Sequence, residues 1–160
     1  MVLLTLAAML IYPPDVRRRK NISHPADLRD TVIRSAIRLF DDEESEFKAG
    51  LNYQLLKKFS SEMHSVPDIR LSTGEEDWTD SLREGRIDIL VAGLGDTLDL
   101  RGLSPSRDFE DSTVWLIRAG TEGKLHALNM WLTSTVSSKD YGRLRNSFMK
   151  KKLPSGALSP

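Results

Sequence analysis

The sequence contains no cysteine, which excludes disulfides, thiolate metal sites, a cysteine nucleophile and a lipid anchor on cysteine. Histidine is scarce. His24, His64 and His126 lie far apart with none of the short spacings of a metal-ligand pair, so no metal is expected. Neither sign of charge is in excess: lysine plus arginine and aspartate plus glutamate number 23 each, and nothing global draws the chain to nucleic acid. No apolar run is long enough to span a bilayer; Val2 to Tyr12 is eleven residues, where about 20 are needed. Ser104 and Ser106 sit near no glycine elbow, and no nucleophile–base pair emerges from spacing. Neither catalysis nor a cofactor is therefore expected.

What is present starts with that apolar stretch. Val2 to Tyr12 has the character of the apolar core of a secretory signal and ends at Pro13-Pro14. Residues 1–12 are read as a signal or anchor remnant, a start lying further upstream being one resolution of the missing basic residues in front. The alternative is a buried first strand or helix, and the basic run Arg17 to Lys20 favours keeping that side of a span cytoplasmic. Residues 13–29 read as a linker, 30–149 as one α/β domain, and 150–160 as a disordered tail.

Within the domain, hydrophobic periodicity switches repeatedly between two and 3.6 residues. Thr31 to Phe40 reads as a strand with Ile33, Ile37 and Leu39 on one face. After the acidic loop Asp41 to Glu46, the residues Leu51, Leu55, Leu56, Phe59 and Met63 predict a helix from about Leu51 to His64, stopped by Pro67. Asp68 to Ser72 reads as a second strand. Asp77 is placed as an N-cap for a helix bearing Trp78 and Leu82, with Gly85 able to close its end. Ile87 to Val91 is apolar at nearly every position, as in a central strand covered on both faces, and the small residues of AGLGDT follow it. Such a loop leaves backbone groups accessible at the carboxyl edge of an α/β sheet, where ligands usually bind. Residues 98–110 read as an irregular crossing segment. Thr113 to Ile117 is another strand, Lys124 to Ser134 a helix, and Tyr141, Leu144 and Phe148 mark a last one.

The order of these pieces, IRSAIRL, then GLNYQLLKKF from Gly50, then WTDSLREGRIDILVAG, resembles the first lobe of bacterial extracellular solute-binding proteins of the amino-acid-binding type, a domain also found at the front of membrane-bound lytic transglycosylases. SPSRDF is similar to the segment in which family members leave that lobe. TVWLIRAGTEGKLHALNMWLTSTVSSKDYGRLRNSF resembles their returning strand and C-terminal helices. The resemblance covers about Asp30 to Met149. It implies a three-layer α/β lobe with a mainly parallel sheet, periplasmic-binding-protein-like, whose second lobe is missing, since only a few residues separate Phe109 from Thr113. It also implies a non-catalytic module in the periplasm, free or anchored to the inner membrane, that binds or senses a small amino-acid- or cell-wall-derived ligand.

The ligand-binding residues expected from this reading are Asp42, Trp78, Ala92, Gly93, Gly95, Asp96, Thr97 and Arg101. Gly95 stands where relatives place a hydroxyl, which leaves Thr97 to supply one, and Arg101 is near the position of an arginine that holds a ligand carboxylate. By itself Arg101 reads either as such a clamp or as a solvated loop arginine paired with Asp96 or Asp99. The acidic groups Asp41 to Glu44 and Glu75 to Asp77 read as receivers of a cationic partner or as solvated surface. Trp78, Trp115 and Trp131 read as core more readily than as stacking platforms, with Tyr53 evenly balanced. The sequence is also compatible with two other classes. An interaction domain would use the edge vacated by the missing lobe for docking or self-association. A receiver-like signalling domain is suggested by LFDDE, but Gly93 occupies the place of its phosphate-accepting aspartate.

Overall fold

The computed structural model describes residues 32–38, 44–72, 77–93, 97–110, 112–120 and 122–152. The expected signal or anchor (1–12), the linker (13–29) and Asp42, Gly95 and Asp96 lie outside them. In order, the elements are β1 (Val32–Arg38), α1 (Ser45–Glu62), β2 (Val66–Ser72), α2 (Trp78–Arg83), β3 (Ile89–Gly93), β4 (Leu103–Pro105), β5 (Thr113–Arg118), α3 (Glu122–Val136) and α4 (Lys139–Lys152). The strands form one sheet in the order β2-β1-β3-β5-β4. β1 runs parallel to both β2 and β3, as the alternation of strands and helices requires. β5 is antiparallel to β3, and β4 to β5, so the sheet is mixed and its parallel part is confined to the first three strands.

The two faces of β1 explain the layers. Ile33 and Ile37 join Leu51, Leu55, Leu56 and Phe59 of α1, Leu128 and Leu132 of α3 and Tyr141 of α4 in one core. Ala36 points the other way, into a smaller core with Leu82, Ile87, Leu90, Ala92, Leu103, Val114 and Leu116. Residues Ile89 to Ala92 of β3 are all buried, which is why that run carries no polar alternation.

Several boundaries differ from expectation. α1 begins at Ser45, about six residues early, because Phe47 and Ala49 are also buried and extend the apolar stripe. Gly50 lies inside it, where a Cβ would stand 2.7 Å from Cε1 of Phe148 on α4; the small residue admits the close approach of the two helices. α1 closes at Met63 and His64, the latter at φ 52°, rather than at Pro67. Pro67 instead belongs to β2, an edge strand, where a residue without an N–H is tolerated. Leu71 on that strand is 54% exposed, and among the described residues no further strand lies beyond β2. β4 forms within the segment read as irregular, since Leu103 buries its side chain while pairing with Arg118. α4 continues through Lys150 to Lys152, residues assigned to the disordered tail; no glycine or proline interrupts the chain between Gly142 and Pro154.

α2 is closed as its sequence suggests. Asp77 Oδ1 accepts from the Thr79 N–H at 3.0 Å and from the Thr79 hydroxyl, and Gly85 follows at φ 72°. A Cβ on Gly85 would lie 3.1 Å from Nη1 of Arg118. Gly85→Ala is expected to cost about 1–2 kcal/mol, mainly from the left-handed backbone, measurable by denaturant unfolding; an unchanged midpoint would contradict this account of the turn.

Candidate functional site

The parallel strands aim their carboxyl ends at one edge, and a cleft of about 460 Å³ opens there. Arg38 at the end of β1 forms one side, Asp77, Trp78, Asp80 and Arg83 of the α2 segment another, and Thr97, Leu98 and Asp99, beyond β3, the third. A second cleft of about 370 Å³, lined by Arg70, Ser81, Arg86 and Ile87, also reaches Asp77 and Trp78. Trp78 therefore stands between two openings.

Arg83 fixes the shape of the first cleft. Its Nη1 donates to Asp80 Oδ1 at 2.7 Å, its Nε to the Arg101 carbonyl at 2.8 Å, and its Nη2 to the Asp99 carbonyl, while also facing Asp99 Oδ2 at 3.3 Å. One guanidinium thus ties α2 to the loop after β3. The hydrogen bond from the Thr79 hydroxyl holds the Asp77 carboxyl below the usual range, helped by two backbone N–H groups and the charge of Arg83. Asp99 is drawn down to about 2, chiefly by hydrogen bonds from the Arg101 side chain and backbone. Both carboxylates are ionised at neutral pH and already engaged.

Among the described residues, Nε1 of Trp78 is buried with no hydrogen-bond partner, in contrast to Trp115, whose Nε1 donates to Asn52 at 2.8 Å, and Trp131, whose Nε1 donates to Glu62 at 2.6 Å. A buried unpaired donor costs about 1–3 kcal/mol.

Of the residues expected to bind ligand, Trp78 and Thr97 line the cleft. Ala92 is fully buried in the smaller core, and Gly93 ends β3 opposite Thr113. Arg101 does not line the cleft. Its side chain is 90% exposed and grips Asp99, with Nε at 2.9 and 3.0 Å and Nη2 at 2.7 Å from the carboxylate oxygens. Of its two readings, the structure gives the solvated pair. Arg101→Ala should return Asp99 toward the ordinary value of 3.8, read from its carboxyl carbon shift during an NMR pH titration; an unmoved value near 2 would contradict the assignment.

Trp115 is fully buried and Trp131 packs against the larger core, whereas Tyr53 is 39% exposed with Lys57 Nζ 5.8 Å from its ring centre. Sequence reasoning missed Arg38 and Arg83; only the Asp80/Arg83 spacing of three on a helix hinted at the second. It also missed Glu110. This carboxylate accepts from the Tyr141 hydroxyl at 2.6 Å and from Arg145 Nε at 2.8 and 2.9 Å, pinning to α4 the turn that closes β4 onto β5. Burial, then the bond to Glu110, pushes the Tyr141 phenol upward, so it stays protonated as a donor. Glu110 and Ser112 in this turn have φ of 39° and 70°. Among the described residues, no group of three or more histidine, cysteine, aspartate or glutamate side chains is arranged to hold a metal ion. Nor is any helix there long and apolar enough to cross a membrane.

The fold and the site define an α/β domain with an open cleft at the carboxyl edge of its parallel strands. No family model matches the chain, and neither a curated protein nor a solved structure does.

Proposed function

We propose that this chain is a non-catalytic, solute-binding-like module that receives a small amino-acid- or cell-wall-derived ligand in the Trp78 cleft, working outside the cytoplasmic membrane. The observation that carries the reading is the buried indole N–H of Trp78, unpartnered among the described residues, on a side chain that lines a cleft of about 460 Å³. The direction of β5 adds support. It lies antiparallel beside β3, where a strand returning from an inserted lobe would enter, and the strained turn after Phe109 closes the chain at that point. A lobe without its partner leaves a cleft open on one side, so modest affinity is expected. The extracytoplasmic placement rests on the apolar character of Val2 to Tyr12.

A rival reading makes the same edge a docking or self-association surface, and the exposed charges of Asp80, Asp99 and Arg101 on its rim favour it. A thermal-shift screen against amino acids, short peptides and cell-wall fragments separates the two. A ligand at a hundred times its dissociation constant adds about 2.7 kcal/mol of stability. Trp78→Phe, which keeps a ring but removes the N–H, should weaken binding about tenfold or more while the oligomeric state stays the same. A well-folded protein that responds to no member of the panel, with Trp78→Phe altering only its association state, would support docking instead.

A further inference from the structure

β2 is an edge strand, and its outer side carries no neighbour among the described residues. Edge strands normally carry devices against indiscriminate pairing. β2 has them in Pro67 and in the charges Asp68 and Arg70, yet it also exposes Val66 at 52% and Leu71 at 54%. The order of these residues, Val-Pro-Asp-Ile-Arg-Leu-Ser, is what gives them meaning together. If two copies of β2 are laid antiparallel about a two-fold axis at Ile69, each Asp68 falls opposite the other copy's Arg70, and each Pro67 opposite the other copy's Leu71.

We infer that the β2 edge pairs with β2 of a second copy of this chain in this register, joining two five-stranded sheets into one of ten. Three observations support it. Asp68 and Arg70 lie on one face, with side chains 42% and 60% exposed and only a 3.6 Å contact to each other, so both are available for cross-strand pairing. Pro67, Ile69 and Leu71 lie on the opposite face; Ile69 already packs on the core beneath α1, and the partner's Pro67 would cover Leu71. A shift by one residue would send each charge to the other face and place it against an apolar residue, so charge and packing choose the same register. Pro67 has no N–H, which limits the ladder at both ends and keeps the pairing short and reversible.

The test is the mass of the full chain in solution, by sedimentation at increasing concentration. The wild type should rise from 18.0 kDa toward twice that value. Arg70→Asp sets carboxylates opposite each other twice and should weaken the dimer about tenfold or more. The double variant Asp68→Arg with Arg70→Asp exchanges the charges and should restore it, while circular dichroism confirms that each variant is folded. A wild type still monomeric at about 1 mM would overturn the inference, because a dissociation constant of that size would leave a large dimer fraction. So would a dimer indifferent to Arg70→Asp, or a folded double variant that fails to recover it.

Discussion

Trp115→Ala is expected to remove about 3–5 kcal/mol of stability. Trp115 has no exposed surface and sits where three elements meet. Its ring lies 5.8 Å from that of Phe59 on α1, 5.8 Å from that of Trp131 on α3, and 6.3 Å from that of Phe109 beside the β4–β5 turn. Truncation would open a cavity between the sheet and both helices. It would also orphan the buried amide oxygen of Asn52, which accepts the indole N–H, while the amide nitrogen keeps its bond to the Lys48 carbonyl at 2.9 Å. Because small domains hold only about 5–15 kcal/mol in total, the variant should melt far below the wild type and lose near-ultraviolet circular dichroism first. Asn52→Leu isolates the polar part, about 1–3 kcal/mol, by leaving the Trp115 donor unpaired. Urea unfolding of both variants checks the pair, and a loss under about 1 kcal/mol for Trp115→Ala would refute the central role given to this ring.

Asp88→Ala should cost about 3 kcal/mol, at the lower end for a broken buried ion pair because Arg34 is partly solvated. The Asp88 side chain is 1% exposed, against 34% for Arg34. Asp88 Oδ2 accepts the Arg34 backbone N–H at 2.9 Å and its Nε at 3.3 Å, while Oδ1 faces Nη2 at 3.3 Å. The same guanidinium donates to the Gly85 carbonyl at 3.0 Å, so one cluster sets both the entry of β3 and the end of the α2 turn. Burial pushes the Asp88 carboxyl above 3.8 despite its hydrogen bonds to Arg34, which act in the opposite direction. The sign follows directly. The folded state binds the proton more readily than the unfolded chain, so stability from this group is complete below 3.8 and is lost as pH rises through the folded value. Asp88→Asn keeps an acceptor and removes the buried charge; it should cost much less than alanine. The wild type should gain on it as pH falls through the same window. Equal losses for Asn and Ala, or a difference independent of pH, would contradict this description.

The sequence was most informative where apolar periodicity met a local stop signal. The Trp78 helix, its Asp77 cap and the Gly85 turn are all determined within a few residues of one another, as is the buried run of β3. The parallel pairing of β1 with β2 and β3 followed from element order alone. Boundaries set by distant contacts were hidden. Nothing near Gly50 announces that Phe148 will pack against it, and Leu103 to Pro105 is too short to show a period before Arg118 and Leu116 pair with it. The candidate site divided in the same way. Trp78 and Thr97, which line the cleft, flank recognisable elements, while Arg83 acts through carbonyls 16 and 18 residues away. Arg101 was ambiguous because spacing of two to Asp99 permits a local pair as readily as a ligand clamp.

The most direct test of the ligand-binding account uses the three tryptophan side chains as internal reporters. In a nitrogen-15 spectrum of the full chain, the indole N–H signals of Trp115 and Trp131 report bonds already made to Asn52 and Glu62, and that of Trp78 reports a donor without a partner among the described residues. Titration with amino acids, short peptides and cell-wall fragments should move the Trp78 signal in a saturable way and leave the other two in place. A Trp78 signal unmoved by every compound in a folded sample would contradict the proposal that this cleft receives a small ligand.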